Sequence, residues 1–133
     1  MNRSKARELA FKLLYQIEIQ KQVNKEDIKL FFENNEIDSK QAQEYIEDIV
    51  SGIDKESTEI MNTISKNLKE DWKIDRISKV NLALLKLGIY EIVYKELPFK
   101  VVINEVVELA KKYGEETSHS FINGILASVV KEN

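Results

Sequence analysis

Apolar residues return at every third or fourth position along most of this chain, the repeat of a helix with one buried face. Ala6, Leu9, Ala10, Leu13, Leu14 and Ile17 predict a first helix from about Ser4 to Lys21. Asn24 is placed to cap a short second helix that carries Ile28, Leu30, Phe31 and Phe32. Asp38 with Gln41 three residues on resembles a capping box. It predicts a long third helix through Tyr45, Ile46, Ile49, Val50, Ile53, Ile60, Met61 and Ile64. Gly52 stands inside that pattern, where a glycine weakens a helix.

Residues 69–77 read as a charged connection around Trp72. A helix to about Tyr94 follows, with Val80, Leu82, Leu84, Leu85, Leu87, Ile89, Ile92 and Val93 spread around nearly its whole circumference. Such a helix is packed from several sides, and Gly88 in its middle admits a close neighbour. Pro98 ends the element and turns the chain. Val102, Ile103, Val106, Val107, Ala110 and Tyr113 mark the next helix, with Gly114 as its C-terminal cap. Thr117 or Ser118 caps the last helix, which turns Phe121, Ile122, Ile125, Leu126 and Val129 inward. Asn104 and Asn123 stand among apolar residues, so each is expected to make a buried hydrogen bond that fixes how helices meet. With one proline, four glycines, no strand pattern and no solenoid repeat, the chain reads as all-α. The expected object is a compact domain of about six or seven helices in two helical sub-bundles. They divide near Trp72, at about 1–70 and 71–133.

Composition narrows the chemistry. A chain of 133 residues most often makes one domain and can bury a core without staples. The absence of cysteine excludes disulfides and thiolate metal sites and fits a reducing cytoplasm. A single histidine excludes a multi-histidine metal centre. No apolar run approaches the ~20 residues needed to span a membrane. The net charge of −3 argues against nucleic acid until its distribution is considered. Arg3, Lys5, Arg7 and Lys12 against Glu8 give residues 1–12 a charge of +3. Residues 26–59 hold eleven acids and three lysines. Phosphate is therefore attracted to the N-terminal end and repelled from the middle.

The candidate sites follow from these patterns. Ser118-His119-Ser120 sets a histidine between two hydroxyls, but no orienting acid or oxyanion hole accompanies it, and it reads as a polar helix start. Glu105 and Glu108, one turn apart, read as solvated acids. The glycines form no phosphate loop. No catalytic set, metal site or cofactor site is legible. On a helical wheel Arg3 and Arg7 lie at one border of the apolar stripe, and Lys5 and Lys12 near the other. They are either a solvated face or phosphate contacts. Tyr15 falls outside the main stripe, where its ring can stack on a base or anchor a partner.

Several strings in one register resemble the bacterial transcription antitermination factor NusB family. They begin with Ala6-Arg7-Glu8-x-Ala10 and Leu14-Tyr15, and continue through Ala83-x-Leu85, Tyr90-Glu91 and Pro98-x-Lys100-Val101-x-Ile103-Asn104-Glu105. They close with Glu108-Leu109-Ala110-Lys111 and Ser118-x-x-Phe121-x-Asn123-Gly124-x-Leu126, so the resemblance spans essentially the whole chain. It implies a NusB-like fold of two helical bundles and a protein that catalyses nothing. It also implies binding of boxA, a single-stranded element of ribosomal RNA leaders, in a heterodimer with the ribosomal protein NusE. That pair joins other Nus factors on RNA polymerase and suppresses premature termination. By position, Arg3, Lys5 and Arg7 match the family's basic RNA-binding start, and Thr117, Ser118, His119 and Phe121 its second RNA-contacting region. Asp75 and Asn81 fall where the family meets NusE, and Tyr15 matches a tyrosine important for the complex. Some family members form homodimers that would cover the RNA face.

Two alternatives come from other classes. One is a helical interaction module that binds protein and little RNA, whose function would survive neutralising the N-terminal charge. The other is the NusB-like domain attached to ribosomal RNA cytosine methyltransferases, for which the 133 residues leave no room for a nucleotide-binding α/β domain.

Overall fold

The computed structural model describes residues 1–22 and 24–132. Seven α-helices form among the described residues, and no strand. They are α1 (Arg3–Gln20), α2 (Lys25–Asn34), α3 (Lys40–Lys55), α4 (Ser57–Lys66), α5 (Lys79–Ile89), α6 (Phe99–Tyr113) and α7 (Ser118–Glu132). Short polar side chains start four of them, and of these Asn24 is the cap expected from the sequence. Asn2, Asn24, Ser39 and Ser78 each accept a hydrogen bond from a first-turn amide of α1, α2, α3 and α5. Ser39, not Asp38, therefore caps α3, and the Asp38–Gln41 capping box does not form. The expected long third helix is two helices, because the backbone leaves helical geometry at Glu56.

The uniformly apolar α5 lies at the centre. α1, α4, α6 and α7 all pack on it, and α1 also packs on α3. Leu84, Leu85, Leu87 and Ile89 are fully enclosed. A Cβ at Gly88 would stand 2.8 Å from Leu126 Cδ1, so this glycine permits the close approach of α7. The helix does not run regularly to Tyr94. Residues Tyr90–Tyr94 form a π turn, and Leu97 N–H donates to the carbonyl of Glu91 at 3.0 Å. The wider turn directs Glu91 into the core, where it is 1 % exposed.

Asn104 and Asn123 are exposed and fix no helix contact. The buried stripe of α6 is Val102, Val106, Leu109 and Ala110, and that of α7 is Ser118, Ile122, Ile125, Leu126 and Val129. Neither stripe includes an asparagine. Phe121 is likewise only half-buried. No helix among the described residues is long and apolar enough to cross a membrane.

Candidate nucleic-acid and partner interfaces

The cap at Asn2, whose Oδ1 accepts from Lys5 N–H at 2.8 Å, sets the first turn of α1. Arg3 and Lys5 project from it into solvent. The Arg3 guanidinium carbon lies 3.9 Å from the centre of the Tyr45 ring. Lys5 Nζ is 3.6 Å from Glu8. Both cations remain available to phosphate.

Arg7 does not. It is 4 % exposed, and the structure removes it from the expected basic face. Its Nε donates to Glu91 Oε1 at 2.6 Å, its Nη2 to Glu91 Oε2 at 3.3 Å, and its Nη1 to Glu105 Oε1 at 2.8 Å. Tyr45 Oη donates to Glu91 Oε2 at 2.9 Å, and Ser4 Oγ to Glu105 Oε1 at 2.5 Å. Burial opposes the charge of Arg7, but the hydrogen bonds and charge of Glu91 hold its pKa above the ordinary value. Burial beside the Glu91 carboxylate also pushes the Tyr45 hydroxyl up. Arg7 thus ties α1 to the π turn and α6, and its guanidinium is spent inside the fold. Glu105, expected to be a solvated acid, is half-buried within this network.

The residue after Arg7 gathers a second cluster. Glu8 Oε2 accepts from Lys112 Nζ at 2.6 Å and from Tyr113 Oη at 2.5 Å. The Lys112 hydrogen bond, then that from Tyr113, hold the Glu8 carboxyl at about 2. Lys12 Nζ and Lys112 Nζ lie 5.8 Å and 5.4 Å from the centre of the Tyr113 ring. Lys5, Lys12 and Lys112 therefore surround one carboxylate and one aromatic ring at the end of α6. Because the Glu8 pKa is depressed, its stabilisation is complete above the ordinary value near 4.5 and is lost as pH falls through about 2. The unfolding free energy of the wild type should thus drop between about pH 5 and 2 more steeply than that of Glu8→Gln. Urea titrations across that range measure it; equal slopes would show that Glu8 gains nothing from its partners.

Four residues past Tyr113 lies the second predicted RNA segment. Gly114 closes α6 with extended backbone, not in the left-handed form. Space dictates the residue there: a Cβ would stand 2.6 Å from Ser118 Cβ. Ser118 is buried, and its Oγ accepts from Glu115 N–H at 2.9 Å. Its hydroxyl shapes the turn. Thr117 is exposed, and His119 and Phe121 are half-buried at the surface. The Phe121 ring lies 5.7 Å from that of Trp72.

The predicted partner residues lie toward the other end of α1. Tyr15 is half-buried and stacks at 6.3 Å on Phe11. Ile19, one turn on along the same stripe, is exposed. Glu18 pairs with Lys86, clamping α1 to α5. Asn81, in the first turn of α5, is half-buried, and its Oδ1 is buried without a hydrogen-bond partner. Asp75 is exposed in the 3-10 turn Ile74–Arg76 that leads into α5. Lys79 and Lys21 approach closely at this corner, and hydrogen bonding and repulsion from Lys21 lower the Lys79 pKa. At 1.5 Å per helical residue, Arg3 and Tyr15 stand about 18 Å apart along α1. Among the described residues, no group of three or more His, Asp and Glu side chains is arranged to hold a metal.

The sequence profile of the NusB family matches residues 4–131. The chain belongs to the NusB family. The transcription antitermination protein NusB of Acetivibrio thermocellus is 50% identical to it, over 98% of this chain and 90% of that protein. That of Clostridium acetobutylicum is 46% identical over 100% and 98%. A solved structure of T. maritima NusB superposes with a TM-score of 0.89 at 33% identity, covering 100% of this chain and 93% of that one. A chain from a crystal structure of the antitermination factors NusB and NusE in complex with dsRNA gives 0.88 at 31% identity, covering 100% of both.

Within this NusB fold, four further residues lie beside the predicted sites. Lys12 reads from sequence as a member of the N-terminal basic cluster, and its spacing from Glu8 places the two on one face. Lys112 reads from sequence as an ordinary C-terminal helix cation. Ile19 reads as one more apolar residue near the end of α1. Trp72 reads as part of a linker, and no local pattern points it to Phe121, 49 residues on.

Proposed function

We propose that the protein is a bacterial transcription antitermination factor. It binds single-stranded boxA RNA of ribosomal RNA leaders together with the ribosomal protein NusE, and so suppresses premature termination by RNA polymerase. It works in the cytoplasm by binding, without a catalytic step, and reaches other Nus factors and polymerase through the complex. The full 133 residues act as one NusB-like unit, with sub-bundles at about 1–70 and 71–133.

One observation carries this reading: α1 presents two different surfaces at its two ends. The first turns hold the exposed cations Arg3 and Lys5, with Lys12 and Lys112 gathered at the end of α6, which suits phosphate and exposed bases. The far end holds the half-buried Tyr15 and the exposed Ile19, which suit a protein partner. In a chain of net charge −3 the cationic end is small, so affinity for RNA alone is low. A partner bound nearby extends the contact and raises it. A similar chain occurs in a crystal structure with NusE and dsRNA, which supports NusE and RNA as the partners.

Titrating labelled boxA RNA with this protein tests the reading, with and without NusE. Binding should be weak alone and strengthened by NusE. Asn81→Lys and Tyr15→Asp should each weaken the heterodimer about tenfold or more, a loss of at least ~1.4 kcal/mol, while the monomer stays folded. Calorimetric titration measures this. Unchanged affinity in both variants would move the NusE surface elsewhere. NusE binding without any RNA affinity would favour the interaction-module alternative.

A further inference from the structure

Trp72 is the only tryptophan, and it is 45 % exposed. Its segment is held in place. Asn67 Nδ2 donates to Glu132 Oε1 at 2.6 Å, Ser128 Oγ donates to Asn67 Oδ1 at 2.6 Å, and Trp72 N–H donates to the Lys69 carbonyl at 2.9 Å. These bonds anchor the α4–α5 connection along α7. They bring the indole to Phe121, with ring centres 5.7 Å apart and planes inclined by 35°. Indole is large and apolar, and a contact with one half-buried ring leaves much of it in water.

The helix beside the pair is bare. Gly124 lies one turn beyond Phe121 on the same stripe of α7, and a Cβ placed there would meet no atom within 4 Å. Glycine costs helix stability and here serves no packing within the chain. An open backbone one turn from the Phe121 ring lets a flat ligand approach closely.

We propose that Trp72 and Phe121 form a two-ring platform on which an unpaired base of bound RNA stacks. This rests on the RNA-binding reading above and adds Trp72 and Gly124 to it. The charge around the platform fits stacking and not phosphate attraction. Lys69 and Lys73 are offset by Glu70 and Asp71 in the same exposed segment. Attraction to the backbone is left to Arg3, Lys5, Lys12 and Lys112. Stacking on aromatic rings tolerates many bases and depends on an accessible π-face, which paired bases inside a duplex lack. The platform therefore selects single strands.

The lone tryptophan reports its own occupancy. A labelled single-stranded boxA oligoribonucleotide is titrated with the full chain, following RNA anisotropy and Trp72 emission together, and anisotropy is repeated with NusE present. Emission should be quenched in step with anisotropy, and the same sequence as a duplex should quench much less. Trp72→Ala should weaken binding about 5- to 150-fold with the salt dependence unchanged, and Trp72→Phe should recover most of the loss. RNA binding by anisotropy with unchanged Trp72 emission, or with wild-type affinity in a folded Trp72→Ala, would overturn the platform and leave the RNA-binding reading standing. No anisotropy change with or without NusE would overturn both. The emission test on the wild-type chain needs no variant, so it decides even if Trp72→Ala folds poorly. Emission that responds to NusE but not to RNA would assign Trp72 to a protein contact and overturn the proposal.

Discussion

Arg7→Ala should destabilise the fold by about 3–5 kcal/mol, the cost of leaving a buried ion without its partner. Glu91 is 1 % exposed and would keep only the Tyr45 hydroxyl as a side-chain donor. Glu105 is less affected, because it is partly exposed and retains Ser4. Arg7→Lys should rescue little, since one ammonium cannot reproduce the fork that grips both Glu91 oxygens and Glu105. Replacing Arg7 and Glu91 together by methionine should cost less than Arg7→Ala, because both charges leave the interior. Arg3→Ala, at an exposed position, should stay within about 0.5 kcal/mol of the wild type. Urea unfolding of the four variants makes the comparison. Wild-type stability in Arg7→Ala would mean that the buried network contributes nothing net. Any loss of RNA binding in that variant should track its unfolding and leave the salt dependence alone.

Phe121→Ala should weaken RNA binding by ~1–3 kcal/mol if its exposed ring face stacks on a base. The slope of log affinity against log salt should be unchanged, because no phosphate contact is lost. Arg3→Ala with Lys5→Ala should do the opposite. Each phosphate contact on single-stranded RNA contributes about 0.7 to that slope, so two lost contacts should flatten it by roughly 1.4. Phe121 also packs on Trp72, so Phe121→Leu is the control that keeps bulk and removes the aromatic face. Measurements in the NusE complex, from low to moderate salt, separate the two roles. If the double variant ran parallel to the wild type, Arg3 and Lys5 would be no more than a solvated face.

The helices were legible where a local rule governs them. Periodic apolar residues marked α1, α6 and α7, Asn24 marked the start of α2, and Gly88 announced a close neighbour, which is α7. The break at Glu56 was not legible, because Ile53, Ile60 and Ile64 are all buried and keep a helical rhythm across it. Asn104 and Asn123 misled for a related reason. An amide between apolar neighbours in sequence is not between them in space when the buried stripe passes to one side.

The sequence by itself determined the all-helical class, the central place of α5, the family and the charge gradient from a basic start to an acidic middle. Each depends on residue type or on spacing within a few turns. Only the tertiary structure decided which charges are free to act. Arg3, Lys5 and Arg7 look alike along the chain. Arg7 is withdrawn because Glu91, 84 residues away, is turned inward by a π turn, and because Glu105 arrives on α6. Lys112 and Trp72 lie at the surface where α6 and the α4–α5 connection bring them to Glu8 and Phe121. Burial and pairing across such separations depend on how helices pack, and no local spacing carries that information.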